Sequence, residues 1–309
     1  MKLVITEFMN EASVATLTGR LDTRYDPTLV DNRPALLAAI AGIDALIVRN
    51  RTRVDQALLD AAPRLRVVGR LGVGLDNIDM KACAARQVAV IPATGANAAA
   101  VAEYVIASAL ILTRKAYFHS APTAAGAWPR AALSGGHEIA GKTLGLIGFG
   151  SIGRLTARLA MALGMTTIAH DPALAADAAV WRESGVAPRS FNDVLRESDV
   201  ISLHVPLIAQ TRNLIDAAAL SAMKPGAALI NTSRGGIVDE AALAQALQSG
   251  HLGGAAIDVF ATEPLPAGSP LAAAPNLLLT PHIAGVTVES NQRVGELIAR
   301  RVLEWLEAH

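Results

Sequence analysis

The chain has 309 residues, enough for one large domain or two of ordinary size. Hydrophobic residues make up 52% and charged residues 17%, a composition that excludes a disordered chain and favours a well-buried α/β protein. Because Lys+Arg and Asp+Glu both number 27, no net charge directs the chain to nucleic acid or to an acidic membrane surface. The single cysteine, Cys83, excludes a disulfide framework and a multi-cysteine metal site, and we interpret it as a packing residue.

The N-terminal segment, MKLVITEFMNEA, does not have the pattern of a signal peptide, since its apolar run is short and acidic residues follow at once. Elsewhere no apolar run approaches the ~18 residues that a membrane span needs, because charges and prolines interrupt the alanine-rich segments. We therefore expect a cytoplasmic protein without a membrane partner.

The first part of the chain alternates short apolar runs with amphipathic stretches, which is typical of βαβ units around an open parallel sheet. The predicted strands are KLVIT, ALIVRN, RVVGRL and VAVIPA, and the predicted helices are RPALLAAIAG, VDQALLDAAP and DMKACAARQ.

A glycine-rich loop follows the third of these strands and contains Val73 and Gly74. Ligands of open α/β sheets bind beyond the carboxyl ends of the strands, so this loop is a candidate substrate contact. The alternative is an ordinary glycine-rich turn between a strand and a helix.

A long apolar helix is predicted from Ala98, with the sequence AAAVAEYVIASALILTRKA. The segment that follows, 120–141, is rich in Ala, Gly and Pro and is too long for a plain connector in a compact domain. We expect an arm that packs on a partner subunit, which would explain an exposed Trp128. A disordered loop is the alternative.

A second alternating series begins with the strand TLGLIGF and the helix SIGRLTARLAMALG. Its further predicted strands are TTIAHD, VISLHVP, GAALINTS, GGAAIDVF and NLLLTP, its further predicted helices include FNDVLRES, DAAALSAM and DEAALAQALQSG, and the chain closes with the amphipathic helix TVESNQRVGELIARRVLEWLEAH. Two alternating series predict two doubly wound parallel-sheet domains with a cleft between them. Because chain termini often lie close together, we expect the last helix to return to the first domain. The expected domains are 1–97 plus 284–309, and 98–283.

The turn from Gly148 to Gly153 has the spacing GxGxxG, follows an apolar strand and opens a helix. Glycines permit close approach of the backbone to a pyrophosphate, and the helix N-terminus supplies N–H donors. Asp171 follows Gly148 by 23 residues, at the end of the next strand, and is expected to bind the ribose hydroxyls. No Arg or Lys follows Asp171 closely, which favours NAD over NADP. The predicted contacts of this turn are Gly148, Gly150, Ser151, Ile152 and Gly153.

Other polar residues and turns at strand ends are weaker candidates for cofactor binding, because each also has an ordinary structural explanation. Asp258 is expected to hold the nicotinamide carboxamide. The complete set is Pro206, Thr211, Thr232, Asp258 and Gly285.

Three further polar residues fall at successive strand ends: Arg234, Glu263 and His282. His282 is the best general acid/base candidate, because an imidazole titrates near neutral pH. Glu263 is expected to bond the far ring nitrogen and raise the histidine's pKa. Arg234 offers a planar fork for a substrate carboxylate. His204 competes for the histidine role, but it lies in an apolar strand and is more typical of a core residue.

The chain resembles the D-isomer-specific 2-hydroxyacid dehydrogenases, and the resemblance covers essentially its whole length. The motifs are GRLGVGLDNID, NAAAVAEYV, GKTLGLIGFGSIG, INTSRGGIVDE, AAIDVFATEPLP and LLLTPHIAG. The resemblance implies a flavodoxin-like and a Rossmann-like domain, a homodimer, and an NAD-dependent exchange between a small (R)-type 2-hydroxy acid and its 2-keto acid. It assigns Arg234 to the substrate carboxylate and His282 with Glu263 to acid/base catalysis. Further implied substrate contacts are Arg49, Val73, Gly74 and Asn97.

The substrate itself is left open by the sequence. Its opening segments look most like short family members that act on sulfolactate, and 3-phosphoglycerate is the other candidate. Arg49, Arg51 and Arg53 are candidates for a contact with a second anion, or else form a solvated basic loop. The alternatives are a glyoxylate or hydroxypyruvate reductase and, from another class, a non-catalytic dinucleotide-sensing protein. No metal site is predicted.

Overall fold

The described residues form two sheets, and every strand pair in each is parallel. This computed structural model describes residues 1–115, 117–131 and 133–309. The predicted α/β class with two doubly wound parallel sheets is confirmed. The contacts divide the described chain into one unit of Met1–Asn97 with Val286–His309 and a second unit of Ala98–Gly285. The second crossover thus falls two residues later than the sequence analysis places it.

The first unit has a five-stranded sheet of order β2-β1-β3-β4-β5, with β1 and β3 side by side at its switch point. Its strands are β1 (Lys2–Ile5), β2 (Asp22–Tyr25), β3 (Ala45–Val48), β4 (Val67–Arg70) and β5 (Ala89–Pro92). Its α-helices are α1 (Glu11–Thr18), α2 (Arg33–Ala39), α3 (Gln56–Ala61), α4 (Met80–Ala85) and α12 (Val288–Ala308), and a 3-10 helix spans Pro27–Asp31.

Alternation along the buried strand β3 divides the core of the first unit into two layers. Leu46 and Val48 pack in one layer, which includes Cys83, whereas Ile47 packs in the other, beside Ile298 of α12. Successive side chains of a strand point to opposite faces, so a strand that is apolar throughout is covered on both sides. Burial raises the pKa of the Cys83 thiol, in keeping with a packing residue.

The second unit has a seven-stranded sheet of order β12-β11-β10-β9-β6-β7-β8. Its strands are β6 (Thr143–Ile147), β7 (Thr166–His170), β8 (Ala187–Pro188), β9 (Val200–Leu203), β10 (Ala228–Asn231), β11 (Gly254–Ile257) and β12 (Leu277–Leu279). Its α-helices are α5 (Ala98–Arg114), α6 (Ser120–Ala124), α7 (Ser151–Ala162), α8 (Ala179–Ser184), α9 (Phe191–Glu197), α10 (Ala217–Ala222) and α11 (Glu240–Gln248), and 3-10 helices span Tyr117–His119 and Pro270–Ala273.

The order of this sheet sets where a ligand can bind. β6 lies between β7 and β9, so the chain reverses its direction of winding at the β6/β9 boundary. In open α/β sheets the crevice for a ligand lies outside the carboxyl ends of the strands at such a boundary. The glycine-rich turn that follows β6 is therefore at the binding position of this sheet.

Segment 120–141 contains α6 and a series of turns. The Trp128 side chain is 80% exposed within the second unit. Toward its end the segment returns to α5, where His137 N–H donates to Thr113 O at 2.9 Å. Ala116, the last residue of the helix predicted from Ala98, and Ala132, inside the predicted arm, lie outside the described residues.

Five of the described α-helices and strands are absent from the sequence prediction: α1, β2, α6, α8 and β8. β2 is an edge strand with the sequence DTRY, and its residues alternate between exposed and partly buried. Such a strand pairs with one neighbour only and remains partly exposed, so its sequence has no apolar run. β8 has two residues and is also at an edge.

Candidate active site

Three adjacent strands deliver the predicted catalytic residues to one edge of the second sheet. β10, β11 and β12 pair in parallel register, with Asn231 beside Ile257 and Ile257 beside Leu279. Arg234, Glu263 and His282 follow these strands in the same order. Parallel strands end at a common edge, so the topology gathers residues that are far apart in sequence.

Glu263 and His282 form a direct pair. Glu263 Oε2 lies 2.8 Å from Nδ1 of His282, and the two side chains are 33% and 38% exposed. A carboxylate only accepts hydrogen bonds, so Nδ1 carries the proton and Nε2 of a neutral ring is left as an acceptor. The other carboxylate oxygen, Oε1, accepts from Phe260 N–H at 3.1 Å. Both oxygens of Glu263 therefore fix its orientation toward the ring.

The backbone of His282 is held in the left-handed region, with φ of +57°. Its N–H donates to Asp258 O at 2.8 Å. The Asp258 carboxylate accepts from Ile283 N–H and Ala284 N–H, both at 2.8 Å, and from Thr280 Oγ1 at 2.6 Å. Asp258 thus binds the turn that carries His282 at four points. This role is not apparent from the sequence, because the contacts span 22 to 26 positions.

Asp258 is buried, with 1% exposure, and burial raises the pKa of its carboxyl despite those hydrogen bonds. Thr280 Oγ1 is also hydrogen-bonded to the hydroxyl of Tyr104. Burial raises the pKa of this hydroxyl as well. The chain Tyr104–Thr280–Asp258 therefore links α5 to the turn beneath His282.

The loop that carries Glu263 is fixed from the neighbouring strand end. Glu240, at the start of α11, accepts from Ala261 N–H through Oε1 at 2.7 Å. Gly235 lies so close to Phe260 O that a Cβ at this position would overlap it. Neither residue is among the sequence predictions, although the glycine directly after Arg234 was a usable signal for close backbone approach.

Arg234 lies in a turn that is stabilised by the end of β10. Asn231 Nδ2 donates to Arg234 O at 3.0 Å, and Asn231 Oδ1 accepts from Ser233 N–H at 3.0 Å. Arg234 Nη1 donates to Ser233 O. The side chain is partly buried, so its guanidinium is placed by the turn rather than free to sweep through solvent.

The glycine-rich turn has the geometry of a dinucleotide cradle. Gly148 has φ of +96°, and a Cβ there would overlap His204 O at the end of β9. A Cβ on Gly153 would lie 2.5 Å from Gly148 O. Around a Cβ on Gly150, by contrast, no described atom lies within 4 Å, so protein packing does not require glycine at this position. The open space at Gly150, beside the N-terminus of α7 at Ser151 and Ile152, fits a pyrophosphate.

Asp171 follows β7 and is bound to the same turn. Its Oδ2 accepts from Phe149 N–H at 2.8 Å and its Oδ1 from Ala173 N–H at 3.0 Å. Each carboxylate oxygen has a second lone pair, so these bonds orient the group without exhausting its capacity to accept. Phe149 is buried and stacks on Trp181 at 4.8 Å between ring centroids.

The weaker cofactor candidates differ in their surroundings. Thr211 Oγ1 donates to Pro206 O at 2.6 Å and accepts from Ile208 N–H at 2.8 Å, so it stabilises its own loop. Thr232 Oγ1 is shielded from solvent and has no protein partner in the part of the chain that is described. Such an orphaned hydroxyl fits a bound ligand. Gly285 ends the second unit.

His204 is bonded through Nε2 to Ser202 Oγ at 3.0 Å. Burial lowers the pKa of the ring to about 4, so it stays neutral at physiological pH. The ring also lies against the position where Gly153 lacks a Cβ. These contacts match a structural histidine beneath the cradle.

The predicted substrate residues of the first unit follow its strands. Arg49 directly follows β3, and its Nη2 donates to Asn291 Oδ1 at 2.9 Å. Val73 and Gly74 lie in the loop after β4, where Val73 is 37% exposed. Asn97 closes the first segment of the unit, and its Oδ1 atom has no hydrogen-bond partner among the described residues.

Within the described ranges, no three His, Cys, Asp or Glu side chains are grouped to hold a metal ion. Nor does any described helix have the length and hydropathy to cross a membrane.

A glycine-rich turn at the switch point of one parallel sheet, with a histidine–carboxylate pair and an arginine at the same edge, fits an NAD-dependent oxidoreductase. Residues 106–284 match the family model described as D-isomer specific 2-hydroxyacid dehydrogenase, NAD binding domain. The chain belongs to the D-isomer-specific 2-hydroxyacid dehydrogenase family, and it is an NAD-dependent 2-hydroxyacid dehydrogenase.

Among curated relatives, the (S)-sulfolactate dehydrogenase of Chromohalobacter salexigens is 56% identical over 292 residues, which cover 94% of each chain. The D-3-phosphoglycerate dehydrogenase of Mycobacterium leprae is 41% identical over 302 residues, 97% of this chain and 56% of that one. The chain thus spans about half the length of that relative.

Solved structures agree on the fold. The TT0316 protein from Thermus thermophilus superposes with a TM-score of 0.89 at 33% identity, covering 100% of this chain and 98% of that one. The NAD-dependent formate dehydrogenase from Staphylococcus aureus, solved in complex with NAD, has a TM-score of 0.84 at 29% identity, with coverages of 99% and 96%.

Proposed function

We propose that this enzyme interconverts a small D-configured 2-hydroxy acid and its 2-keto acid, and that its substrate carries a second anion, with sulfolactate as the first candidate. The observation that carries the reaction is the Glu263–His282 pair at 2.8 Å, next to the Arg234 turn in the same sheet. The relative that acts on (S)-sulfolactate, by its name, supports the substrate.

The label (S) agrees with the (R)-type configuration that the sequence analysis expects. In lactate the carboxylate outranks the methyl group. In sulfolactate the sulfur-bearing carbon outranks the carboxylate, so the same spatial arrangement changes from (R) to (S).

In the proposed mechanism Arg234 binds the substrate carboxylate through two parallel N–H···O bonds. This places the 2-hydroxyl near Nε2 of His282, which accepts its proton during oxidation and returns it during reduction. Glu263 holds the ring in the tautomer with Nδ1–H and stabilises the imidazolium. Bound NAD supplies the hydride acceptor for the C2 hydrogen.

Asp171 and the turn from Gly148 to Gly153 hold the cofactor in this proposal. The carboxylate would accept from the ribose hydroxyls and repel a 2′-phosphate, which favours NAD. Thr232 is a second contact, supported by its orphaned hydroxyl. Asp258 has two roles in this proposal. Besides binding the nicotinamide carboxamide, it positions the turn that carries His282, because its carboxylate accepts three hydrogen bonds from that turn. Pro206, Thr211 and Gly285 complete the proposed set.

The first unit contributes the rest of the substrate specificity in this proposal. Arg49, Val73, Gly74 and Asn97 are the proposed contacts, since they follow strands of its parallel sheet or close the segment after them. Of the three basic residues after β3, Arg49 is the one whose guanidinium is partly buried, whereas Arg51 is exposed and pairs with Asp31. Arg49 is therefore the preferred binding residue for a second anion.

The test of this function is NADH oxidation at 340 nm with a panel of 2-keto acids: sulfopyruvate, phosphohydroxypyruvate, oxaloacetate, hydroxypyruvate, glyoxylate and pyruvate. We expect sulfopyruvate to give the highest kcat/KM. Highest turnover of glyoxylate or hydroxypyruvate would instead identify a reductase of those acids. That alternative has some support, since the glyoxylate reductase from Paecilomyes thermophila superposes with a TM-score of 0.86 at 29% identity.

We also propose that the enzyme is a cytoplasmic homodimer in which segment 120–141 packs on the partner subunit. The exposed Trp128 supports this arrangement, because tryptophan is enriched at protein–protein interfaces. Light scattering should give twice the mass of 32.0 kDa, and Trp128→Ser should weaken the dimer. Cell fractionation with an NAD-enzyme marker tests the location.

A further inference from the structure

A buried carboxylate lies at the switch point of the first sheet. Glu7 comes just after β1 and has 5% exposure. It accepts three backbone hydrogen bonds from the loop that follows β3. Oε1 accepts from Arg49 N–H at 2.7 Å and from Thr52 N–H at 3.0 Å, and Oε2 accepts from Arg51 N–H at 3.1 Å.

These bonds explain why a charge is tolerated here. A buried carboxylate is unfavourable unless donors replace its lost water, and three N–H groups do so. The loop in turn has no regular structure of its own, so its backbone donors depend on Glu7.

The same loop is held from its other side. Asn77 Nδ2 donates to Arg49 O at 3.2 Å and to Thr52 O at 2.6 Å. The Thr52 side chain bonds Thr6 Oγ1 at 2.9 Å. The loop is therefore bound through three N–H donors and two C=O acceptors, which holds the backbone of Arg49 against the segment after β1 and the loop after β4.

The Arg49 side chain is aimed by a further contact, the 2.9 Å bond from Nη2 to Asn291 Oδ1 on α12. A guanidinium has five N–H donors, so this bond leaves donors for an anion. Burial lowers the pKa of Arg49, and the negative charge of Glu7 opposes that change. Glu7 thus supports both the position and the charge of Arg49.

We propose that Glu7 is a positioning residue for recognition of a second anionic group on the substrate, and that it acts by fixing the loop from which Arg49 reaches that group. This inference rests on the proposed function, in which Arg49 reads the second anion. The anion is a sulfonate, phosphate or carboxylate at the far end of a three-carbon or four-carbon 2-keto acid. Glu7 itself does not touch the substrate.

The test compares two kinds of keto acid in the wild type and in Glu7→Gln. One is the dianionic acid with the highest turnover in the panel, and the other is pyruvate or glyoxylate, which lacks a second anion. The Gln side chain keeps one acceptor but turns an NH₂ group toward Arg51 N–H. We expect KM for the dianionic acid to rise at least tenfold, while kcat for it and kcat/KM for the monoanionic acid stay within about twofold.

Two further variants make the result specific. Glu7→Asp keeps the charge but shortens the side chain by one methylene group, so it should raise KM for the dianionic acid by an intermediate factor, and it serves as the test if Glu7→Gln does not fold. Asp44→Asn is the matched control. Asp44 is another carboxylate with 5% exposure in the same unit, and it accepts from Lys2 N–H and Arg64. It should lower the melting temperature without changing the ratio of the two KM values.

The outcomes separate the two proposals. If the wild type showed no preference for dianionic acids, the proposed recognition of a second anion by Arg49 would be wrong, and so would the role of Glu7. A wild type with that preference, together with Glu7 variants that keep the ratio of KM values, would overturn the role of Glu7 alone. A ratio that changes equally in Asp44→Asn would show a general effect of losing a buried carboxylate, which also contradicts the proposal.

Discussion

The two sheets build their switch-point loops by opposite means. In the second unit the turn after β6 approaches His204, after β9, because Gly148 has no side chain. In the first unit the loop after β3 donates three N–H hydrogen bonds to the buried carboxylate of Glu7, which follows β1. At the glycine turn the missing side chains leave room for a ligand beside backbone N–H groups. In the loop after β3 the backbone N–H groups bond Glu7 instead, and the arginine side chain is left to reach a ligand. Under the proposed function, the first arrangement would suit a pyrophosphate that is the same in every reaction, and the second would suit a substrate that varies.

The largest expected effect on cofactor binding tests whether the turn after β6 works through its empty space. Gly150→Ala should weaken NADH binding at least tenfold, because its Cβ would occupy space that no described protein atom fills. The melting temperature of the protein without cofactor should hardly change. Titration of NADH fluorescence and thermal melting measure the two effects.

Gly153→Ala is the matched control for that experiment. Its Cβ would lie 2.5 Å from Gly148 O, so it should destabilise the cofactor-free protein by about 1–3 kcal/mol. If Gly150→Ala destabilised the protein equally and left NADH affinity unchanged, the turn would be a packing feature rather than a cradle.

The next effect concerns Asp171, the acidic side chain that is proposed to bind the cofactor's ribose. Asp171→Ala should weaken NAD binding about tenfold, as expected for a lost hydrogen bond of a charged group of ~1.5 kcal/mol, and should narrow the gap between NAD and NADP. Steady-state kinetics with both cofactors give the ratio. Unchanged discrimination would mean that another group reads the ribose.

The sequence predicts one part of this candidate site and not the rest. Arg234, Glu263 and His282 are candidates from the sequence because each follows an apolar strand, and parallel strands end at one edge. The two carboxylates that hold the loops, Glu7 and Glu240, were not found. Their roles depend on backbone contacts 42 to 45 and 21 positions away, which no local spacing encodes.

The fold divides in the same way. Strands that are apolar throughout, such as β3 and β10, are recognisable because both faces are buried. The edge strand β2 and the helix α1 were missed, since β2 has no apolar run and α1 buries only Ser13 and Leu17. Elements that pack on one side alone carry a weaker pattern than elements in the centre of a sheet.

A smaller effect on kcat is expected at Glu240. Like Glu7, its side chain binds the backbone of a loop. Glu240→Ala should lower kcat about three- to tenfold, because the loop of Glu263 loses the acceptor for Ala261 N–H. Glu240→Gln keeps an acceptor oxygen and should retain most of the activity. Equal kcat values for wild type and Glu240→Ala would show that Glu263 is placed by other contacts.

The smallest effect is on stability, at the histidine beneath the cradle. Because burial lowers the pKa of His204 to about 4, the unfolded chain binds a proton below pH 6.5 that the folded chain does not. Stability is therefore lost as the pH falls from 6.5 toward 4. Between pH 7.5 and 5.5 the wild type should lose roughly 3 °C in melting temperature relative to His204→Asn. Parallel melting curves for the two proteins across this range would contradict a buried neutral ring.

The measurement that tests the account most directly is turnover by His282→Gln alongside its affinity for NADH. The loss of a general acid/base should lower kcat for the best keto acid by about 10²–10⁴-fold. The cradle lies in other loops, so the Kd for NADH should stay within about twofold of the wild type. A variant that binds NADH normally and shows this loss of kcat would support the Glu263–His282 pair as the acid/base group. A variant with near-normal kcat would remove His282 from the chemistry and contradict the account.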